Sequence, residues 1–222
     1  MTPWQRALKR SFDLLAAGAG LVVGAPLLLV IAMLVRLTTP GPALFRHTRI
    51  GRNGVHFEVW KFRTMVYAPG IEASEITIAG DPRITPLGRR LRRWKLDELP
   101  QLWNVIRGEM SLVGPRPDIP GYADRLTGTA SRLLDLRPGI TGPATLYYRD
   151  EEDLLASVDD PREHNDGVVY PLKVRINLKY LEDWSLARDI GYLVVTILPA
   201  LDRWLHLVPV VEPDEQLTTC AD

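Results

Sequence analysis

Residues Leu14 to Val35 read LLAAGAGLVVGAPLLLVIAMLV, a run of 22 residues with no charged side chain and no Asn, Gln or His. Such a run is long enough to enter or cross a bilayer. Arg6, Lys9 and Arg10 precede it, and Arg36, Arg46, Arg49 and Arg52 follow it. Cationic flanks stay on the cytoplasmic side, so both ends are expected there. A single crossing separates its flanks, whereas a helix that enters and returns does not. Ala25-Pro26 stands at the middle of the run. Proline removes a backbone donor and clashes with the preceding turn, and Gly18, Gly20 and Gly24 soften the first half. The sequence therefore predicts a re-entrant membrane hairpin over residues 1–37, broken at Ala25 and Pro26, and a membrane-associated domain over 38–222. A kinked single span and a signal peptide are the competing readings. The run exceeds the usual apolar region of a signal peptide, and no clear small-x-small cleavage site closes it before Arg36.

The second informative stretch is Lys95-Leu96-Asp97-Glu98-Leu99-Pro100-Gln101-Leu102-Trp103-Asn104, followed by Gly108-Glu109-Met110-Ser111-Leu112-Val113-Gly114-Pro115-Arg116-Pro117. Adjacent carboxylates among cations, upstream of a rigid Pro-Arg-Pro, suit metal-assisted chemistry on phosphate. A carboxylate can attack phosphorus or hold a divalent ion, and arginines neutralise phosphate oxygens. Pro115 and Pro117 fix φ on either side of Arg116, so its presentation is pre-set. Lys61 and Arg63 form a second cationic pair, and Arg137, before Pro138-Gly139, is a further phosphate candidate. Asn104 is read either as orienting Glu98 or substrate, or as a helix-surface amide.

Between these landmarks, His56 to Phe62 alternates as a strand does. Residues 66–82 read as an exposed loop. Asp81-Pro82 and Thr85-Pro86 introduce a basic helix carrying Arg83, Arg89, Arg90, Arg92, Arg93 and Lys95 with no acidic residue; it is a solvated face or a surface for lipid headgroups or a diphosphate. From Leu96, apolar residues recur with helical spacing. Helix is expected over Asp118–Leu136 and Val174–Leu186, loop over Arg137–Pro143, and loop with a short helix over Asp150–Asp166. Ile190 to Val211 reads as an interfacial amphipathic helix with Trp204 at headgroup depth, or as a buried core helix.

Composition narrows the class. The 27 basic and 27 acidic residues cancel, which argues against a general nucleic-acid binder. Cys220 is the only cysteine, so neither an intrachain disulfide nor a cysteine metal site is possible, and His47, His56, His164 and His206 show no zinc spacing. There is no Gly-x-Gly-x-x-Gly fingerprint and no regular strand–helix alternation, which excludes a Rossmann domain. The expected fold is an α-dominant α+β: a small mixed domain on a re-entrant helix-break-helix, with amphipathic interfacial helices.

Taken together, the chain resembles the bacterial sugar transferases, or monotopic phosphoglycosyl transferases. The resemblance is carried by Lys9-Arg10-Ser11-Phe12-Asp13, Thr39-Pro40-Gly41-Pro42, Arg49-Ile50-Gly51-Arg52-Asn53-Gly54, Lys61-Phe62-Arg63-Thr64-Met65, the two blocks quoted above, and Arg137-Pro138-Gly139-Ile140-Thr141-Gly142, in that order. It implies transfer of a sugar 1-phosphate from a nucleoside diphosphate sugar, of the UDP type, to a polyprenyl (undecaprenyl) phosphate. That step opens glycan or exopolysaccharide assembly at the cytoplasmic face of a bacterial inner membrane. It further implies Asp97 as nucleophile, forming a covalent phospho-sugar, Glu98 as ligand of Mg²⁺, and Lys61, Arg63, Pro115, Arg116, Pro117 and Arg137 around the substrate. The partners implied are the donor, the lipid acceptor and the bilayer; nucleic acid is not among them, and a homodimer is compatible. The chain reads as the family's short form. Many relatives have Ser before the membrane proline, where this chain has Ala25, and an acidic residue where it has Asn177, so Asn177 receives no catalytic role. Sugar choice is expected between Tyr147 and Tyr170. Two alternatives remain: a glycosyltransferase moving the sugar without its phosphate, against which the lack of Asp-x-Asp counts, and a membrane-anchored scaffold.

Overall fold

The computed structural model describes residues 1–66, 81–202 and 207. Helix α1 (Pro3–Thr38) opens with a capping box in which Thr2 and Gln5 exchange hydrogen bonds, and Pro3 takes the first helical position. The helix continues through Pro26. The expected break at Ala25-Pro26 is thus not an interruption of helical conformation; proline is tolerated within membrane-depth helices. Its apolar stretch is long enough to cross a membrane by length and composition.

Both halves of α1 dock on the rest of the chain. Lys9, Asp13 and Ala17 are buried from the first half, Ile31 and Val35 from the second. Ala17 joins a core with Val59, Val105, Met110, Val113, Tyr180, Leu181 and Val195. Ile31 and Val35 join Phe62 and Leu91 in a second core. The opposite side of α1 is bare: Leu15, Val22, Val23, Leu29 and Leu37 are 72–81 % exposed. An apolar face of this extent marks a membrane or partner surface.

Strands β1 (Leu44–Ile50) and β2 (His56–Phe62) form an antiparallel hairpin in the register Leu44–Phe62 to Ile50–His56. The sequence predicts β2 with these bounds and misses β1, whose polar residues obscure the alternation. Helix α2 (Pro86–Arg93) is capped by Thr85, whose hydroxyl accepts from Gly88 N–H. Lys95, left-handed at φ 54°, turns the chain into a 3₁₀ segment, Leu96–Glu98. Helix α3 (Gln101–Arg107) follows and ends on left-handed Gly108.

Strands β3 (Ser111–Val113) and β4 (Gly139–Thr141) pair in parallel. The loop expected over Arg137–Pro143 therefore contains a strand. An added Cβ on Gly139 would collide with the backbone of Gly114, so only glycine permits this approach. Between the strands run 3₁₀ segments Ala123–Arg125 and Gly128–Asp135, in place of the predicted helix; Pro120, Gly121 and Gly128 interrupt any regular run.

Short helices α4 (Pro143–Tyr147), α5 (Glu151–Ala156) and α6 (Pro161–His164) lead through a π-type turn, Asn165–Val169, to α7 (Tyr170–Glu182) and α8 (Leu186–Ile197). Helix α7 starts and ends about four residues earlier than expected, leaving Trp184 buried just beyond it. The architecture is helix-dominant α+β. Of the predicted 66–82 loop, residues 67–80 lie outside the described residues, as do Arg203, Trp204, His206 and Cys220.

Charge ties α1 in place. Lys9 Nζ meets Asp189 Oδ2 of α8 at 2.6 Å, and Asp189 also accepts from Tyr180 Oη (2.8 Å) and Trp184 Nε1 (3.0 Å). Arg10 donates to the carbonyls of Val105 and Ile106 at the C-terminus of α3, where a cation is favoured. Asp13 Oδ1 accepts from Leu112 N–H at 3.1 Å. Lys9 is 8 % exposed and Asp189 1 %, so removing one partner strands a buried charge. We expect Lys9→Met to cost about 3–5 kcal/mol, read as a lowered unfolding midpoint in detergent. Lys9→Met/Asp189→Asn should recover part of the loss, because the amide side chain is neutral, its oxygen can accept from Trp184 Nε1, and its NH2 can donate to Tyr180 Oη.

Candidate active site

The 3₁₀ segment Leu96–Glu98 places two adjacent carboxylates between β2, α3 and the Pro115-Arg116-Pro117 loop. Each is 6 % exposed. Glu98 Oε1 receives Lys61 Nζ from β2 at 2.7 Å and Arg116 Nη2 from the loop at 2.7 Å; Arg116 Nη1 lies 3.4 Å from Oε2. Asp97 Oδ1 is buried and accepts no hydrogen bond. The sequence predicts Asp97 and Glu98 on or beside a polar helix face; the fold buries both because β2 and the proline-flanked loop close over them.

These neighbours are electrostatically unlike. Burial opposes ionisation of Glu98, but Arg116 and then Lys61 outweigh it and hold its carboxyl well below the usual range. Burial, followed by the charge of Glu98, pushes Asp97 upward, only partly offset by Lys61, Arg92 and Lys95. One carboxylate is a fixed anion. The other is more basic and has an oxygen to spare. Pairs driven apart in this way divide chemical roles between them.

Lys61 and Arg116 also line a cleft of about 290 Å³, together with Arg49, Arg92, Lys95, Pro115, Pro117, Asp118, Arg149 and Lys173. So many cations around one concavity suit a polyanionic ligand. Arg49 is crowded enough that burial, then the charge of Arg116, lowers its guanidinium to about 10. Lys173 Nζ holds both oxygens of Glu151 at 2.7 Å. Tyr170 Oη donates to Asp118 Oδ2 at 3.3 Å.

The structure brings Asp97, Glu98, Lys61, Pro115, Arg116 and Pro117 together, and separates Arg63 and Arg137 from them. Arg63 is 5 % exposed and donates to the carbonyls of Val35, Thr39 and Pro40; it caps the C-terminus of α1. Arg137 Nε donates to Gly108 O at 2.8 Å, joining β4 to the end of α3. Asn104 is not a helix-surface amide, and it makes no direct hydrogen bond to Glu98. It is fully buried, accepts from Trp60 N–H, and donates to Glu58 O and Glu109 Oε2, fastening α3 to β2. Sequence reasoning did not single out Arg49, Asp118, Glu151 or Lys173 for the site. Asp118 could have been noticed beside Pro117. Glu151 and Lys173 meet only through the fold and leave no local signal.

Asp118 supplies a pH test. Burial raises its carboxyl to about 6, against the opposing charges of Lys173 and Arg49. The folded state therefore binds this proton more tightly than the unfolded chain, and the associated stability is lost as pH rises through about 6. Asp118→Asn should gain stability relative to wild type between pH 4 and pH 7, measured as the difference in unfolding midpoints. An unchanged difference would mean that Asp118 is not buried as an acid.

The sequence model of the bacterial sugar transferase family matches residues 4–203. The chain is 36 % identical over 196 residues to the UDP-glucose:undecaprenyl-phosphate glucose-1-phosphate transferase of Escherichia coli K12, covering 86 % of this chain and 40 % of that protein. It is 39 % identical over 195 residues to the protein of the same name from Caulobacter vibrioides, covering 85 % and 68 %. With the exopolysaccharide production protein ExoY of Rhizobium meliloti, identity is 36 % over 204 residues, covering 85 % and 83 %. The chain thus spans well under half of the E. coli relative and most of the Rhizobium one. By its family match, its relatives and its arrangement of motifs, the chain belongs to the bacterial sugar transferase family.

Proposed function

We propose that this chain is a phosphoglycosyl transferase. It transfers a sugar 1-phosphate from a UDP-sugar to undecaprenyl phosphate at the cytoplasmic face of the inner membrane, as the first lipid-linked step of exopolysaccharide assembly. The observation that carries this reading is the carboxylate pair: Glu98 fixed as an anion by Lys61 and Arg116, and Asp97 more basic beside it with Oδ1 unpartnered. The names of the relatives above support the substrates.

The proposed chemistry has two displacements. An Asp97 carboxylate oxygen attacks the phosphorus that bears the sugar. An O–P bond forms, the bond to the bridging diphosphate oxygen breaks, and UMP leaves with the electron pair. A phosphate oxygen of undecaprenyl phosphate then attacks the same phosphorus and displaces the Asp97 carboxylate, giving the lipid diphosphate sugar. Lys61, Arg116 and the cations around the cleft neutralise the phosphoryl oxygens; phosphoryl transfer is catalysed mainly by such positioning and charge. Glu98 also fits as a ligand of Mg²⁺, because Oε2 makes only the one 3.4 Å contact. Among the described residues there is no cluster of three or more His, Cys, Asp or Glu able to hold a metal, so diphosphate oxygens and water would complete the shell, as Mg²⁺ sites often require. When bound, the ion supplies neutralisation of the diphosphate.

The re-entrant reading of α1 is part of the proposal. Its docked stretches, reaching Gly20 against Leu102 of α3 and resuming at Leu28, are separated by roughly 12 Å of helix. A crossing would set its ends on opposite sides of roughly 30 Å of hydrocarbon. Entry to about half depth, with a bend at Pro26, keeps both halves on one domain and the cleft beside the acceptor's headgroup.

The test is intact mass after incubation with Mg²⁺ and a panel of UDP-sugars without lipid acceptor. Wild type should gain one sugar phosphate, and Asp97→Asn none, with turnover reduced by about 10³-fold or more, the scale of losing a nucleophile. Normal turnover by Asp97→Asn would defeat the covalent scheme, and normal biological function of that variant would favour the scaffold. Glu98→Gln should lower turnover by roughly 10²–10³-fold and, by leaving Lys61 and Arg116 without their anion, lower the unfolding midpoint as well, so circular dichroism establishes that the variant is folded under assay conditions.

A further inference from the structure

The cleft has a second wall that the proposed chemistry does not use. Thr145 on α4 and Asn177 on α7 both line it. Asn177 is only 6 % exposed, yet its Oδ1 is buried and accepts no hydrogen bond; Thr145 Oγ1 is likewise buried and without a partner. Folded proteins pair nearly all such atoms, so each exception asks for a reason. Two exceptions on one cleft, from elements that pack together, form a waiting pair: an amide oxygen that accepts and a hydroxyl that both accepts and donates.

The surroundings define what they accept. Glu151, close enough to Arg116 to act on its charge, is neutralised by Lys173 at 2.7 Å. Tyr148 presents its ring to Lys173 on the same wall, 5.6 Å from centroid to Nζ. Beyond Arg116 the Lys173 cation is matched by Glu151, the Arg149 guanidinium is engaged with Val195 O, and neutral polar atoms and the ring of Tyr148 make up the rest of the wall. An uncharged group rich in O–H donors finds what it needs.

We propose that Thr145 Oγ1 and Asn177 Oδ1 accept hydrogen bonds from hydroxyls of the donor's sugar ring, making this wall the sugar-reading subsite for a neutral, polyhydroxylated sugar. The inference rests on the phosphoglycosyl transferase reading, since it takes the phosphates to lie at Lys61 and Arg116. It places sugar choice at residues flanking the Tyr147–Tyr170 segment in which the sequence predicts it. A site built to hydrogen-bond a hydroxyl discriminates strongly against an analogue that lacks it, because the protein oxygen is then left unpaired.

The experiment uses the full chain with undecaprenyl phosphate and Mg²⁺. It measures kcat/KM for UDP-glucose, UDP-galactose and UDP-glucuronic acid, and then for single-deoxy analogues of the preferred donor. Wild type should prefer a neutral donor and lose about tenfold or more on at least one deoxy analogue, the scale of one unpaired hydrogen bond. Thr145→Val and Asn177→Leu should each lose a similar factor on the parent sugar and nothing further on the analogue lacking the matching hydroxyl. Thr145→Ser, which keeps the hydroxyl, should retain the discrimination. Inhibition by UMP should be unchanged in all variants. Equal losses on every analogue, or a wild type indifferent to all of them, would overturn the subsite while leaving the transferase reading intact. UMP inhibition weakened in parallel would move the pair to the nucleoside and overturn it as well. A wild type that turns over no UDP-sugar would overturn the transferase reading and the subsite with it. The wild-type series stands even if a variant fails to fold.

Discussion

The contact on which the site depends is the pairing of Glu98 with Lys61 and Arg116. Three segments far apart in sequence meet at one carboxylate: strand β2, the 3₁₀ turn and the loop after β3. Burying one of these charges alone would be unfavourable; together, with hydrogen bonds of 2.7 Å, they offset one another's desolvation. The consequence is directional. Because Glu98 is held ionised, Asp97 beside it is pushed the other way. The basicity of Asp97 is thus raised first by its burial and next by the charge of a residue that it does not bond to.

The supports of that contact are mostly backbone devices. Gly114 and Gly139 let β3 and β4 approach so that Pro115-Arg116-Pro117 leaves the sheet toward Glu98. Gly139 N–H donates to Pro115 O at 2.7 Å, pinning the loop at its first proline. Asn104, buried under the turn, holds α3 against β2 and so fixes the spacing between Lys61 and Glu98. None of these groups reacts. Each removes freedom from one that is proposed to.

Local sequence makes part of this visible. The apolar run, strand β2, the Asp97-Glu98 pair and Arg116 are legible because each is carried by adjacent residues whose chemistry or alternation is self-evident. Arg63 and Arg137 look the same in a string as Lys61 and Arg116: cations near conspicuous neighbours. What separates them is which carbonyl or carboxylate the fold brings within reach, and that depends on pairings across 18 to 37 residues. Helix is expected over Asp118–Leu136; Pro120, Gly121 and Gly128 break the run and leave 3₁₀ turns. The Lys173–Glu151 pair and the Thr145–Asn177 wall join residues whose spacing has no periodic meaning, so no window of sequence could reveal them.

Ala17 belongs to one core of the domain, and Ile31 and Val35 belong to the other. Helix α1 is therefore structural material for the rest of the chain and not a leash attached to it. Helix α1 lies ahead of β2, α2 and α3 in the chain, and its inner face has no core to join until those elements are in place. A chain released without that helix would carry two unfinished cores into water.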